Sequence, residues 1–218
     1  MRIVGVDEAG RGSFVGPLVV GAFAVDHTEL DAVRSAGARD SKELSAAARE
    51  EVYARLTRIG DIASVTLSPR TVDRAVRKNG LNDLEAVAFG TVIRRLGAEE
   101  ARVDACDTNE ARFGRRVSAR AGGGVRVLAR HHADREDPLV GAASIVAKVR
   151  RDRALARLRA TLGDGIGSGY PSDLHTVEFV RDHLRRVDSP PSWLRVSWAT
   201  MGRVKEVPPA VTLDQFAP

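Results

Sequence analysis

The sequence predicts a mixed α/β domain built on one five-stranded sheet flanked by helices. Short runs rich in Val, Ile and Ala alternate with longer segments whose apolar residues recur at helical spacing, in the order β-β-α-β-α-α-β-β-α with one more helix after it. Gly, Pro and Ser punctuate the boundaries between them. A chain of 218 residues is long enough to enclose a full core of this kind.

Each element has a local reason. Arg2-Ile3-Val4-Gly5-Val6 reads as a buried strand running into Asp7. A glycine loop follows, then a second strand over 17–25. Ser45 caps a helix to Ile59 with Ala48, Val52, Leu56 and Ile59 on one face, and Gly60 ends it. Residues 62–67 form a third strand. Ser68-Pro69 opens a helix that Gly80 closes, because proline suits the first helical position. Asn82 through Glu85 resembles a capping box ahead of Leu84, Val87, Ala88, Thr91 and Val92, and Gly97 stops that helix. Residues 101–106 and 125–129 are strand-like. Asp137-Pro138 starts a long helix reaching about Leu162, and Ser172 caps a last helix to about Arg186. After Trp198 the texture changes, and Pro208-Pro209 mark a tail, so the expected organisation is a domain over 1–200 and a tail over 201–218.

Composition narrows the function classes. Thirty arginines and four lysines stand against 29 acids, for a net charge of +5, a modest pull toward a polyanionic partner. Cys106 is the single cysteine, which excludes an internal disulfide and a Cys-rich zinc site and suits a reducing cytoplasm. The opening residues meet an acid too early for a signal peptide. The apolar run from Val15 to Val25 is too short to span a bilayer. A soluble cytoplasmic protein without membrane partners is expected.

The chemistry concentrates in Asp7-Glu8-Ala9-Gly10-Arg11-Gly12. Adjacent carboxylates at a strand end repel unless a proton or cation relieves them. Hard divalent cations prefer oxygen ligands, so Mg²⁺ or Mn²⁺ is the natural guest. The glycine loop can offer backbone N–H groups and a guanidinium to a phosphodiester. Asp104 sits in a strand-like hexamer where a lone charge is costly, and Asp134 follows another strand. The spacing permits Asp7, Glu8, Asp104 and Asp134 to meet at one sheet edge. Ser144 and Lys148 are four apart on one helix face, and Lys148 lies among apolar residues, where its ammonium needs a carboxylate or a phosphate. Together these features suggest metal-assisted phosphodiester hydrolysis.

Six blocks in order resemble the ribonuclease HII family, above all its archaeal members. They are Asp7–Gly12 with Gly16-Pro17-Leu18-Val19, then Asp40-Ser41-Lys42, Val103-Asp104-Ala105, Ala133-Asp134, Ala142 through Lys148, and Gly167 through Asp173. The resemblance covers residue 2 to about 200. It implies a ribonuclease H-like fold with a helical C-terminal portion. It also implies cleavage of the RNA strand in RNA–DNA hybrids and incision 5′ of single ribonucleotides in duplex DNA. Ribonucleotide excision repair and RNA primer removal are the roles it carries. Asp7, Glu8, Asp104 and Asp134 match the family's metal-site acids, holding Mg²⁺ or Mn²⁺ for two-metal hydrolysis with cations about 4 Å apart. Gly10, Arg11 and Gly12 match its ribose-sensing loop, and Tyr170 its junction-sensing tyrosine. Lys42, Ser144 and Lys148 fall in blocks near the phosphates. The expected products carry a 3′-hydroxyl and a 5′-phosphate, and the enzyme is expected to act as a monomer.

Ser13, His132 and Ala199 depart from common family residues, and none is a metal ligand. The histidines are left out of the catalytic set, since surface and capping histidines are commoner. Ala210 through Ala217 resembles a degraded sliding-clamp-binding peptide with Leu213 and Phe216 as anchors, or else a tail that folds back on its own domain. A junction-resolvase-type nuclease would share the acids but cut all-DNA duplexes, and a non-catalytic binding module would need no acids in these blocks.

Overall fold

The computed structural model describes residues 1–38, 44–198, 201, 202 and 204. The blocks holding Lys42, Ala199, Leu213 and Phe216 lie outside the described residues.

Five strands form one sheet in the order β3-β2-β1-β4-β5. β1 (Arg2–Ala9) pairs antiparallel with β2 (Leu18–Asp26), which pairs antiparallel with β3 (Asp61–Leu67). On its other side β1 runs parallel to β4 (Glu100–Asp104), and β4 runs parallel to β5 (Arg126–Arg130). The expected mixed five-stranded sheet is present.

The helices follow as α1 (Leu30–Ser35), α2 (Ala46–Ile59), α3 (Pro69–Val76) and α4 (Leu81–Leu96). After β4 come α5 (Glu110–Ala121), α6 (Ala133–Glu136), α7 (Pro138–Leu162) and α8 (Leu174–Leu184). Three caps act as their sequence predicts. Ser45 accepts from the Ala48 N–H at 3.2 Å, Ser68 from Thr71 at 3.3 Å, and Asp137 from Leu139 at 2.9 Å.

Other boundaries differ from expectation. α3 ends at Val76 rather than running to Gly80, because Asn79 takes a left-handed conformation at φ 53°. α4 starts after Gly80 with no side-chain cap, so Asn82 and Glu85 form no capping box and are used elsewhere. Asp173, not Ser172, caps α8, accepting from the His175 N–H at 3.1 Å. α5 is an additional helix between β4 and β5. Its Asn109 cap, buried Phe113, Val117 and Ala121, and left-handed Gly122 are the signals of a helix, and parallel strands require such a crossover.

The two sheet faces are covered differently. Val4, Val6, Val20 and Val103 pack against Phe89, Val92 and Ile93 of α4 and Phe113 and Val117 of α5. Ile3, Phe23 and Val25 pack against Leu139, Ile145 and Val149 of α7 and Leu56 of α2. α7 lies so close to the sheet that a Cβ on Gly5 would fall 2.1 Å from the Leu139 carbonyl oxygen. A third cluster joins Phe14 and Val15 of the glycine loop to Leu155, Trp193 and Leu194, binding that loop to the C-terminal portion. Among the described residues no helix is long and apolar enough to cross a membrane.

Candidate active site

The sheet register brings the first two acid-bearing strands together. Val6 faces Val103 across the parallel β1–β4 pair, so the next step along both strands sets Asp7 beside Asp104. Successive side chains on a strand point to opposite faces. Asp7 therefore turns toward α7 and Glu8 toward α4, both at the sheet edge where the strands end. Asp104 is the last residue of β4, and its Oδ1 accepts from the Ala133 N–H at 3.0 Å. That bond ties Asp104 to the first turn of α6, which carries Asp134. His132 reaches this turn with φ 57°, a rare conformation outside glycine. All four acids line one cleft of about 260 Å³.

Burial and repulsion from neighbouring acids set the protonation of Asp7 and Glu8. The Asp7 carboxyl is pushed up to about 7 by burial first and by Asp104 second, while a hydrogen bond from Ser144 pulls the other way. Glu8 is raised well above the ordinary carboxylate range by burial, then by Asp7 and Glu85. Glu8 Oε2 is buried without a hydrogen-bond partner. Among the described residues no three acidic, histidine or cysteine side chains already close into a metal cage. The donors are nonetheless all oxygens open to a cleft, and those of Asp7 and Glu8 are held toward protonation. Mg²⁺ needs only one or two carboxylates, with water and substrate phosphate supplying the rest, so the donor set fits such an ion.

The same cleft takes in the expected substrate-binding residues that lie within the described portion. Gly10, Arg11 and Gly12 line it with Ser144, Lys148 and Tyr170. Lys148 Nζ donates to Ser144 Oγ at 3.0 Å, and Ser144 in turn bonds the Asp7 carboxylate. The ammonium therefore reaches a site acid through a hydroxyl. Gly10 has φ 84°, and a Cβ there would meet Arg151 Nε at 2.3 Å. At Gly12 a Cβ would meet nothing within 4 Å, so the protein's own packing gives no reason for glycine there. The Arg11 guanidinium is turned to its own protein: Nε donates to both oxygens of Glu85 and Nη2 to Asn82 Oδ1 at 2.8 Å.

Comparison with known proteins decides the family. The family model described as Ribonuclease HII matches residues 4–201. A Ribonuclease HII of Cenarchaeum symbiosum is 46% identical over 199 residues, covering 91% of this chain and 95% of that one. The chain belongs to the ribonuclease HII family. A solved ribonuclease H2 from Pyrococcus horikoshii OT3 superposes with a TM-score of 0.86 at 35% identity, covering 94% of this chain and 98% of that one. A ribonuclease HII solved as a complex with PCNA, from Archaeoglobus fulgidus, also gives 0.86, at 36% identity, covering 98% of this chain and all of that one. Membership makes the chain an endoribonuclease of the ribonuclease H type and implies cleavage of the RNA strand of RNA–DNA hybrids.

Three residues of this ribonuclease HII chain matter to the cleft and escape sequence reasoning. Glu85, read as a capping residue, is fully buried behind Arg11 and adjoins Glu8. Burial raises its carboxyl even though Arg11 opposes the shift. Arg151 is buried in the cleft wall, with its guanidinium 4.6 Å from the Tyr170 ring centre and Nη2 donating to the Ser168 carbonyl at 3.1 Å. Its position three residues past Lys148 and seven past Ser144 puts it on their helix face, a signal available in the sequence. Arg195 is fully buried, with Nη1 donating to the Arg11 carbonyl at 3.0 Å and Nε to the Gly16 carbonyl at 3.2 Å. Burial, then Arg151, bring its pKa down to about 10. A lone arginine near two prolines carried no such signal. His131, by contrast, is structural: its backbone N–H donates to Glu110 at 2.6 Å and its ring meets the Asp107 carbonyl at 2.8 Å.

Proposed function

We propose that the chain hydrolyses the RNA strand of RNA–DNA hybrids and incises duplex DNA on the 5′ side of a single embedded ribonucleotide, leaving a 3′-hydroxyl and a 5′-phosphate. The observation that carries this reading is one cleft lined at once by Asp7, Glu8, Asp104 and Asp134, the Gly10–Gly12 loop and Tyr170.

Asp7, Glu8, Asp104 and Asp134 would hold Mg²⁺ or Mn²⁺, and a bound pair of such ions would supply an activated water and charge neutralisation at the departing oxygen. The chain's own residues do the rest. Ser144, oriented by Lys148, fixes the Asp7 carboxylate toward the cleft. Arg11, held by Glu85 and Asn82, sets the loop so that its backbone faces the sugar. RNA differs from DNA at the 2′-hydroxyl, and open space at Gly12 lets the loop come close to it. Tyr170, backed by Arg151, offers a flat face to the next sugar, where a 2′-hydroxyl would crowd it. Lys42 and Lys148 belong to the phosphate contacts.

The catalytic domain spans 1–200 and acts as a monomer in the cytoplasm, in ribonucleotide repair and primer removal. The tail 201–218 docks weakly on a sliding clamp through Leu213 and Phe216. The Archaeoglobus relative in complex with PCNA supports that partner. Deleting residues 208–218 tests it, and unchanged clamp affinity refutes it.

The deciding experiment compares a duplex bearing one ribonucleotide with its all-DNA match, with and without Mg²⁺. Metal-dependent cutting 5′ of the ribonucleotide alone is expected. Cutting of both duplexes favours a resolvase-like nuclease, and binding without cutting favours a non-catalytic module.

A further inference from the structure

We infer that a basic stripe along α3 is a second nucleic-acid contact, receiving the phosphodiester backbone of the duplex several base pairs from the cut. This rests on the reading above that the substrate is a duplex. Arg70 and Arg74 on α3, with Arg77 and Lys78 just past its end, line a groove of about 440 Å³ whose opposite wall includes Pro190 and Pro191. The spacings of four and three place Arg70, Arg74 and Arg77 along one side of the helix, and Lys78 extends the row past its end. All four are exposed.

The groove concentrates charge of one sign, four cations with a single acid among its lining. Several arginines elsewhere are matched, Arg49 with Asp152, Arg102 with Glu100 and Asp137, Arg112 with Asp107, Arg153 with Glu50, while Arg55 and Arg58 of α2 are as unpaired among the described residues as those of the groove. The four cations of the groove make no ion pair with any described residue. Asp73 is the one acid in its lining, and it is consumed, accepting from the Val196 and Ser197 N–H groups at 3.0 Å each. A single-sign patch of this kind attracts a polyanion.

Position selects the occupant. β3 ends at Leu67, which pairs with Leu18, while Val19 pairs with Ala9, so α3 begins at the same sheet edge as Asp7 and Glu8. Two strand spacings of about 4.8 Å separate β1 from β3. At about 3.4 Å per base-pair step, a duplex running from the cleft across the sheet edge covers the distance to β3, where α3 begins, in roughly three pairs. The groove is also held in a fixed relation to the cleft. Asp73 grips residues 196 and 197, and the neighbouring Arg195 holds the Arg11 and Gly16 carbonyls.

The test measures binding of the full chain to an RNA–DNA hybrid of about 20 base pairs, without divalent cation, across a KCl series. The variant R70Q/R74Q/R77Q is compared with a charge-matched control on the opposite side of the sheet, R34Q/R55Q/R58Q. Each phosphate contact contributes about 0.9 to the slope of log affinity against log salt. The α3 variant is expected to lose about 10-fold or more in affinity near 100 mM salt and about two to three in slope, and the control to lose little of either. Equal losses in both variants mean that only net charge matters, and an unchanged slope means a merely solvated face; either overturns the inference. Should the triple variant fold poorly, R74Q alone must lower the slope by about one. Failure of the wild-type chain to bind or cut hybrid at all sinks the proposed function instead, which separates the two.

Discussion

Arg11 donates through Nε to both carboxylate oxygens of Glu85, at 2.9 and 3.1 Å, and Glu85 is sealed from solvent. The loop expected to read ribose therefore stands on an acid that belongs to another element. Glu85→Ala leaves Asn82 alone to hold the guanidinium. Because Arg11 is more than a third exposed, the loss is discounted to about 2 kcal/mol of stability. Thermal melts and hybrid kinetics check this, with kcat/KM expected to fall about 10-fold while the protein still folds. Wild-type kinetics in that variant would mean that Arg11 needs no support.

The two loop glycines separate folding from recognition. Gly10→Ala places a Cβ 2.3 Å from Arg151 Nε at a positive φ, and a loss of about 2 kcal/mol or more is expected. Gly12→Ala meets nothing and should melt like wild type, yet bind a ribonucleotide-bearing duplex about 10-fold more weakly because the methyl group stands where the sugar must come. Equal behaviour of the two variants in both assays would contradict the sugar-reading role.

Asp104→Asn keeps an oxygen to accept from the Ala133 N–H, so the fold and hybrid binding should survive. Cleavage should drop by about 10³-fold or more, because a ligand charge is lost. Near-normal turnover removes Asp104 from the site.

pH dependence without metal follows from Asp7. Its folded-state pKa is pushed up from 3.8 to about 7, so between those values the folded protein holds more protons than the unfolded chain. Stability then declines as pH rises through that window, with the full cost present above it. In chelator, melting should fall by roughly 5 °C from pH 5 to pH 8, and Mg²⁺ should restore most of it. Asp7→Asn should flatten the curve; a chelated wild type that melts alike at both pH values would mean the acids are not strained.

Much of the fold was legible because caps are local. Ser45, Ser68-Pro69 and Asp137-Pro138 announce α2, α3 and α7 within a few residues of sequence. α5 was equally spelled out by Asn109, Phe113, Val117 and Gly122, but its arginine-rich surface masks the apolar period. The acids could be assigned to the ends of elements, yet their meeting depends on the Val6–Val103 register, which no single segment encodes. Asp134 reaches the cleft from α6 rather than from a strand end. Glu85 shows the limit most clearly. A capping pattern and a buried counterion look the same in one dimension, and only Arg11, 74 positions earlier, distinguishes them.

The Arg195 bonds to the Arg11 and Gly16 carbonyls join positions separated by 184 and 179 places in the chain. During synthesis Asp7, Glu8, Asp104 and Asp134 leave the ribosome before the residue that fastens the glycine loop. The glycine loop that lines the cleft is thus fastened by a residue from the far end of the domain.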